Sequence, residues 1–321
     1  MFKRIAALSL LCAPLAAWSA GPVPQAQHID INGQTRDYLL VTPAALPSGA
    51  RPLVLVLHGH TGTAANALGS GRSPSPLSAW LDVAAREKIL VAALQGVKGP
   101  DNQPGWNDCR ADADNNPDID DVAFAQGVVK RLVDAGRVDP KRIYVMGMSN
   151  GAFMTLRLAL QMQPQPAAVA SAAGTMAQKS ECDDQPRVVS VLLIHGTDDP
   201  LVPYEGGQVG LGNRRDRGGA QSVAATRDYW LRADGLLREE PVDFQFPRKG
   251  GLLDKTSARK QTWGKDAGPQ VEVVTIDKGG HIEPSLKYDY PALYRLIVGA
   301  QNHDLEAVEE AWSFFRNKRA P

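Results

Sequence analysis

The chain has 321 residues, 35 Lys plus Arg against 35 Asp plus Glu, and a formal net charge of zero. With no excess of either sign there is no global field to gather nucleic acid or an acidic polymer, so the expected substrate is neutral or has its charge read locally. About 300 residues beyond a leader suffice for one large core, and no tandem repeat or Ser/Thr/Pro linker marks a second module, so one domain is expected over residues 20–321.

Met1-Phe2-Lys3-Arg4 followed by the apolar residues 5–17 has the basic then hydrophobic layout of a secretory signal, and Ala17-Trp18-Ser19 offers cleavage before Ala20. The apolar part is too short for a lasting membrane anchor, and Pro14 interrupts it. Residues 1–19 are therefore expected to be removed on export, leaving the protein secreted or periplasmic. Cys12 goes with the leader. Two cysteines remain, Cys109 and Cys182, and an even pair in an oxidising compartment reads as a disulfide.

Apolar, β-branched runs predict strands at residues 38–41, 52–57, 90–94, 143–146, 167–172, 188–194 and 271–276. Apolar positions at three and four residue spacing predict helices at 78–87, 121–135, 152–160, 222–234 and 305–316. Such alternation indicates an α/β class fold, a mostly parallel, doubly wound sheet with helices on both faces and its ligand site at the C-terminal ends of the strands. Three irregular segments, 61–76, 96–117 and 206–219, lie where they could shape a pocket. The second contains Trp106, whose ring is a candidate to stack on a substrate as well as a candidate for the core. Asn107 and Asp108 read as turn formers. The acidic run 112–120 has Pro117 where a calcium loop needs glycine and Ala123 where it needs a bidentate glutamate, so it reads as a solvated loop and helix cap. No phosphate-binding or zinc spacing appears, and no cofactor or metal is implied.

Between the strand at 143–146 and the helix at 152–160 stands Gly147-Met148-Ser149-Asn150-Gly151. A serine hydroxyl becomes a useful nucleophile when a sharp strand-to-helix turn holds it beside a base, and such a turn is crowded enough to require small residues on both sides. The elbow calls for an acid after a later strand and then a histidine, the order of an α/β-hydrolase. Residues 188–194 run into His195-Gly196-Thr197-Asp198-Asp199-Pro200, and 271–276 run into Gly279-Gly280-His281. Of six histidines, His281 alone stands in the required place. Of the two adjacent aspartates, Asp199 is the expected acid and Asp198 the turn cap. The oxyanion donors expected are the backbone N–H of Asn150 and of His60, with Thr61 as the reserve. His58, at a strand end, reads as a hydrogen-bonded anchor.

Taken together, His58-Gly59, Trp106-Asn107-Asp108, Asp120-Asp121-Val122, the Ser149 elbow, Ala173-Gly174-Thr175-Met176, the Asp199 loop and Gly279-Gly280-His281 give a chain that resembles secreted polyhydroxybutyrate depolymerase-type esterases. That group includes feruloyl and acetyl-xylan esterase-like members. The match runs from about residue 37 to the C-terminus and is specific in combination. The resemblance implies a triad at Ser149, Asp199 and His281, the same residues reached above. Two departures stand out. Ile282-Glu283-Pro284 replaces the Thr-Trp-Pro often found after the histidine, and His60 stands where a second glycine often follows the His-Gly pair.

The expected activity is two-step hydrolysis of a carboxylic ester on a hydroxyalkanoate, with feruloyl or acetyl esters of plant polysaccharide as the alternative. A non-catalytic binding protein on the same scaffold would differ by failing to react with a serine-directed phosphonate. A peptidase would call for an added domain to gate peptides, and the sequence shows none.

Overall fold

The computed structural model describes residues 21–321 except 45, 71–74, 183, 184, 213–215 and 252. The expected leader, residues 1–19, lies outside the described residues. A ten-stranded sheet is built from β1 (Gln25–Ile31), β2 (Gln34–Val41), β3 (Arg51–Leu57), β4 (Leu90–Leu94), β5 (Val138–Met148), β6 (Ala168–Ala172), β7 (Ser190–Gly196), β8 (Val242–Gln245), β9 (Ser257–Gly264) and β10 (Gln270–Asp277). Their spatial order is β1-β2-β4-β3-β5-β6-β7-β10-β9-β8. Neighbours from β4 to β10 in that order pair in parallel, and the pairings at both edges are antiparallel.

The central strands are apolar without alternation because both faces of the sheet are covered. In β3, Leu53, Leu55 and Leu57 enter one buried cluster while Val54 and Val56 enter the other. The same division separates Ile143 and Val145 from Tyr144 and Met146 in β5, and Val191 and Leu193 from Leu192 and Ile194 in β7. Each such side chain removed from water contributes roughly 1.5–3 kcal/mol, so the paired strands carry much of the folding free energy.

Helices α1 (Trp80–Glu87), α2 (Asp121–Asp134), α3 (Asn150–Gln161), α4 (Val223–Ala233), α5 (Ala292–Val298) and α6 (Ala307–Phe315) flank the sheet. Phe124 and Val128 of α2, Met154 and Leu158 of α3, and Trp230 of α4 pack on one face. Trp80 and Val83 of α1 and Trp312 and Phe315 of α6 pack on the other. Asp120 caps α2 by accepting the N–H of Ala123 at 2.8 Å, which is where the acidic run leads. Asp121, at the next position, is buried against Arg36 of β2 at 2.6 Å and also accepts the N–H of Asn107 at 2.8 Å. One carboxylate thus ties β2 and helix α2 to the loop that carries Asn107.

All seven predicted strands are present. Three further strands of the ten-stranded sheet, β1, β8 and β9, were not predicted, since all lie toward the sheet edges with exposed or polar positions in place of an apolar run. Helix α5 was also missed, because Leu293, Leu296 and Ile297 expose their side chains and no core stripe results.

Candidate active site

A serine that ends a buried strand and opens a helix must reverse direction within one residue. Ser149 does so at φ 56° and ψ −123°, an uncommon conformation for a side-chain-bearing residue, and its N–H is held by the carbonyl of Ala172 at 2.9 Å. The chain passes so close to itself here that a Cβ on Gly147 would stand 2.1 Å from the carbonyl oxygen of Gly151. One on Gly151 would stand 2.4 Å from that of His58. Packing therefore demands glycine on both sides of the serine.

The strand ends bring three distant side chains into a row. His281 Nε2 lies 2.8 Å from Ser149 Oγ, and His281 Nδ1 lies 2.8 Å from Asp199 Oδ2. The second Asp199 oxygen accepts the N–H groups of Leu201 and Val202, each at 2.8 Å. His195, the penultimate residue of β7, adds a contact to Asp199 Oδ2 at 3.4 Å and is itself held by the carbonyl of Val202 at 2.8 Å. Burial opposes ionisation of Asp199, but His281 and His195 outweigh it and hold its carboxyl well below the usual carboxylate range. Asp198 is exposed, and its carboxylate accepts from the Thr197 hydroxyl at 3.1 Å.

The two N–H groups expected to face an oxyanion belong to the segment after β3 and to the start of α3. The N–H of Thr61 is engaged by the carbonyl of Pro104 at 2.9 Å, whereas no acceptor among the described residues takes the N–H of His60. Asn150 opens α3, where the first N–H groups have no partner within the helix. The His60 ring is fixed by Asp101 at 2.8 Å, and its pKa is lowered by burial and by the nearby Arg217. His58 is an anchor: the Gly96 N–H donates to its Nε2 at 3.0 Å, so Nδ1 carries the proton given to the carbonyl of Gly59 at 2.7 Å. Burial lowers its pKa to about 4, so the ring stays neutral at pH 7.

Trp106 requires a correction. It was a candidate to stack on substrate, yet it is 1 % exposed, and its indole N–H donates to the carbonyl of His58 at 2.8 Å. It packs beneath the cleft and is absent from its lining, held there by that bond to the end of β3. Its backbone N–H and carbonyl bracket the Asn150 side chain, at 2.8 Å and 3.1 Å. Asn150 also donates to Asp108 at 2.7 Å, and Asp108 holds Arg110 at 2.7 Å. The residue following Ser149 is thus locked by its side chain, a role its place in the elbow motif does not reveal.

Cys109 and Cys182 form a disulfide across 73 residues. The bond ties the loop after Trp106 to the loop after Met176. Backbone pairing of Glu181 N–H to the Cys109 carbonyl at 2.9 Å reinforces the join.

These elements surround an open cleft of about 1040 Å³ whose lining includes Ser149, His281, His60, Phe153, Glu283 and Tyr290. Glu283 is 1 % exposed, and burial raises its pKa to about 7. Its presence was legible as a departure from the Thr-Trp-Pro pattern, but its burial was not.

An open, mostly parallel sheet that carries a strained serine, a histidine and a carboxylate at its strand ends defines an α/β-hydrolase. A family model described as Phospholipase/Carboxylesterase matches residues 46–210, and the chain belongs to that family of carboxylesterase-type hydrolases. The putative esterase NocK of Nocardia uniformis subsp. tsuyamanensis is 35% identical over 302 residues, covering 90% of this chain and 81% of that protein. Feruloyl esterase B of Piromyces equi is 30% identical across 62% of this chain, and a poly(3-hydroxybutyrate) depolymerase of Ralstonia pickettii is 31% identical across 49%. The matched region is 35% of the length of each of these two. The solved acetyl xylan esterase from Aspergillus awamori shares the fold, with a TM-score of 0.50 and 14% identity over 78% of this chain and 92% of that one.

Proposed function

We propose that the chain is a secreted serine esterase that cleaves hydroxyalkanoate esters through an acyl-enzyme, with Ser149 as nucleophile, His281 as general base and acid, and Asp199 as the group that orients the imidazole. The observation that carries this reading is the unbroken row of contacts at 2.8 Å from Ser149 Oγ through His281 to Asp199. His281 Nε2 takes the hydroxyl proton as Ser149 attacks the ester carbonyl, then gives it to the departing alcohol. Water repeats the sequence on the acyl-enzyme. The N–H groups of Asn150 and His60 are the donors to the tetrahedral oxygen, and Asp199 stabilises the transient imidazolium.

Residues 1–19 act as the export signal in this reading, and residues 20–321 as one catalytic domain. A disulfide between Cys109 and Cys182 suits an oxidising destination. The preference for hydroxyalkanoates rests on the depolymerase relative. The feruloyl esterase relatives favour a second reading, hydrolysis of feruloyl esters. Parallel rates on hydroxybutyrate oligomers and on methyl ferulate separate the two.

The decisive experiment is turnover of a chromogenic short-chain ester by the wild type and by Ser149→Ala. Loss of the nucleophile should lower kcat by about 10⁴-fold or more. Near wild-type turnover by the variant would remove Ser149 from the chemistry.

A further inference from the structure

We propose that Glu283 is a specificity-determining residue of this cleft, accepting a hydrogen bond from a hydroxyl or ammonium group of the ester that Ser149 attacks. The inference rests on the esterase reading and names the chemistry of its substrate. Glu283 follows His281 by two positions, is 1 % exposed, and belongs to the cleft lining together with Ser75, Tyr290 and Tyr294. A buried carboxyl ordinarily has both oxygens satisfied. Here, among the described residues, Oε2 is reached by the Tyr290 hydroxyl at 3.4 Å and no other residue donates to Oε1, so that apart from Glu283's own backbone N–H the carboxyl has this one long contact.

The groups facing this carboxyl from the neighbouring segments compensate it weakly. Tyr290 shares its hydroxyl with Ser75 Oγ, also at 3.4 Å, so neither contact is short. Glu306 disfavours the ionised carboxyl, while Glu283's own backbone N–H favours it, as does His281 when the imidazole is protonated. No Lys or Arg is paired with Glu283 among the described residues. A wall with an unsatisfied acceptor binds a donor-bearing ligand and penalises an isostere that lacks the donor, since the isostere leaves the oxygen buried and unpaired. The rings of Tyr290 and Tyr294, with centroids 5.1 Å apart, line the same cleft as Glu283, and aromatic rings near a carboxyl favour a cationic donor further.

Two ester series test the idea, because the donor could be carried on the acyl or on the alcohol side. The acyl series is ethyl 3-methylbutyrate, ethyl 3-hydroxybutyrate and ethyl 3-aminobutyrate. The alcohol series is the butyrates of propanol and ethylene glycol, and of 3-methylbutanol and 2-(dimethylamino)ethanol. In at least one series the wild type should favour the donor-bearing ester over its isostere by about tenfold or more in kcat/KM. In Glu283→Leu that ratio should fall toward one. The ratio is the readout because a general loss of activity moves both esters alike. Should Glu283→Leu fail to fold by circular dichroism, Glu283→Met reads the same ratio. Glu283→Gln separates the two donors: it should keep a preference for hydroxyl and lose one for ammonium. Ratios near one throughout in the wild type, or a ratio unchanged in the folded apolar variant, would overturn the proposal. Failure to hydrolyse any of these esters, with no labelling by a serine-directed phosphonate, would instead sink the esterase reading beneath it.

Discussion

Asp199 presents one carboxylate oxygen to the N–H groups of Leu201 and Val202 and the other to His281 Nδ1 at 2.8 Å, so the turn that holds the acid also aims it. Asp198, one residue earlier, faces outward and meets only Thr197 among the side chains described. Asp199→Asn should therefore lower kcat by about 10⁴-fold on a chromogenic ester, as removal of the orienting charge leaves the wrong tautomer favoured. Asp198→Asn should stay within a few-fold of wild type. Equal losses in the two variants would reassign the acid.

His58 links the folded state to pH. Its pKa, lowered to about 4 by burial, lies below the value of about 6.5 it regains on unfolding. The unfolded chain therefore binds the proton first, and stability present above about pH 6.5 is lost as pH falls toward 4. The loss attributable to this ring is on the order of 3 kcal/mol. Urea midpoints for wild type and His58→Gln, taken between pH 7 and 4, should converge as the pH drops. Parallel curves would show that His58 titrates normally.

Gly151 has no room to spare, since a Cβ would meet the carbonyl oxygens of His58 and Leu57 at 2.4 Å and 2.5 Å. Both obstacles are backbone and neither can rotate away. Gly151→Ala should cost at least about 2 kcal/mol and displace the serine, seen as a lower denaturant midpoint together with reduced kcat. An unaltered midpoint would mean that the turn is looser than its contacts imply.

The Cys109–Cys182 bond closes a loop of 73 residues, for which chain entropy assigns a stabilisation of about 4 kcal/mol. The double Cys109→Ser, Cys182→Ser variant should melt roughly 5–15 °C below wild type. Calorimetry with and without reductant provides the check: reductant should lower Tm in the wild type alone.

Trp106 is a structural residue by its burial, and Trp106→Phe should reveal it. Loss of the indole N–H leaves the His58 carbonyl short of a donor and should cost about 1–3 kcal/mol in stability. KM values for aromatic and aliphatic esters should shift together. A selective rise for aromatic esters would restore the ring to the substrate wall.

By itself the amino-acid sequence determined the parallel core and the order of the chemistry. Runs such as residues 53–57 can be buried on both faces only in a sheet with two helical layers, and a Gly-x-Ser-x-Gly between strand and helix has few other uses. Edge strands such as Val242–Gln245 escaped that reading because every residue in them is exposed and no apolar run marks them. Tertiary structure alone decided which side of a loop each polar group faces. Neighbouring Asp198 and Asp199 are the same residue type, and their difference arises from the path of the chain after β7. Trp106 lies in a polar loop, and only the packing of that loop against the end of β3, where the His58 carbonyl takes its indole N–H, sends its ring inward. Glu283 is a charged residue that local rules would leave in water; its burial comes with tertiary packing in which Tyr290 lies between it and the distant Ser75, a contact that no local pattern encodes.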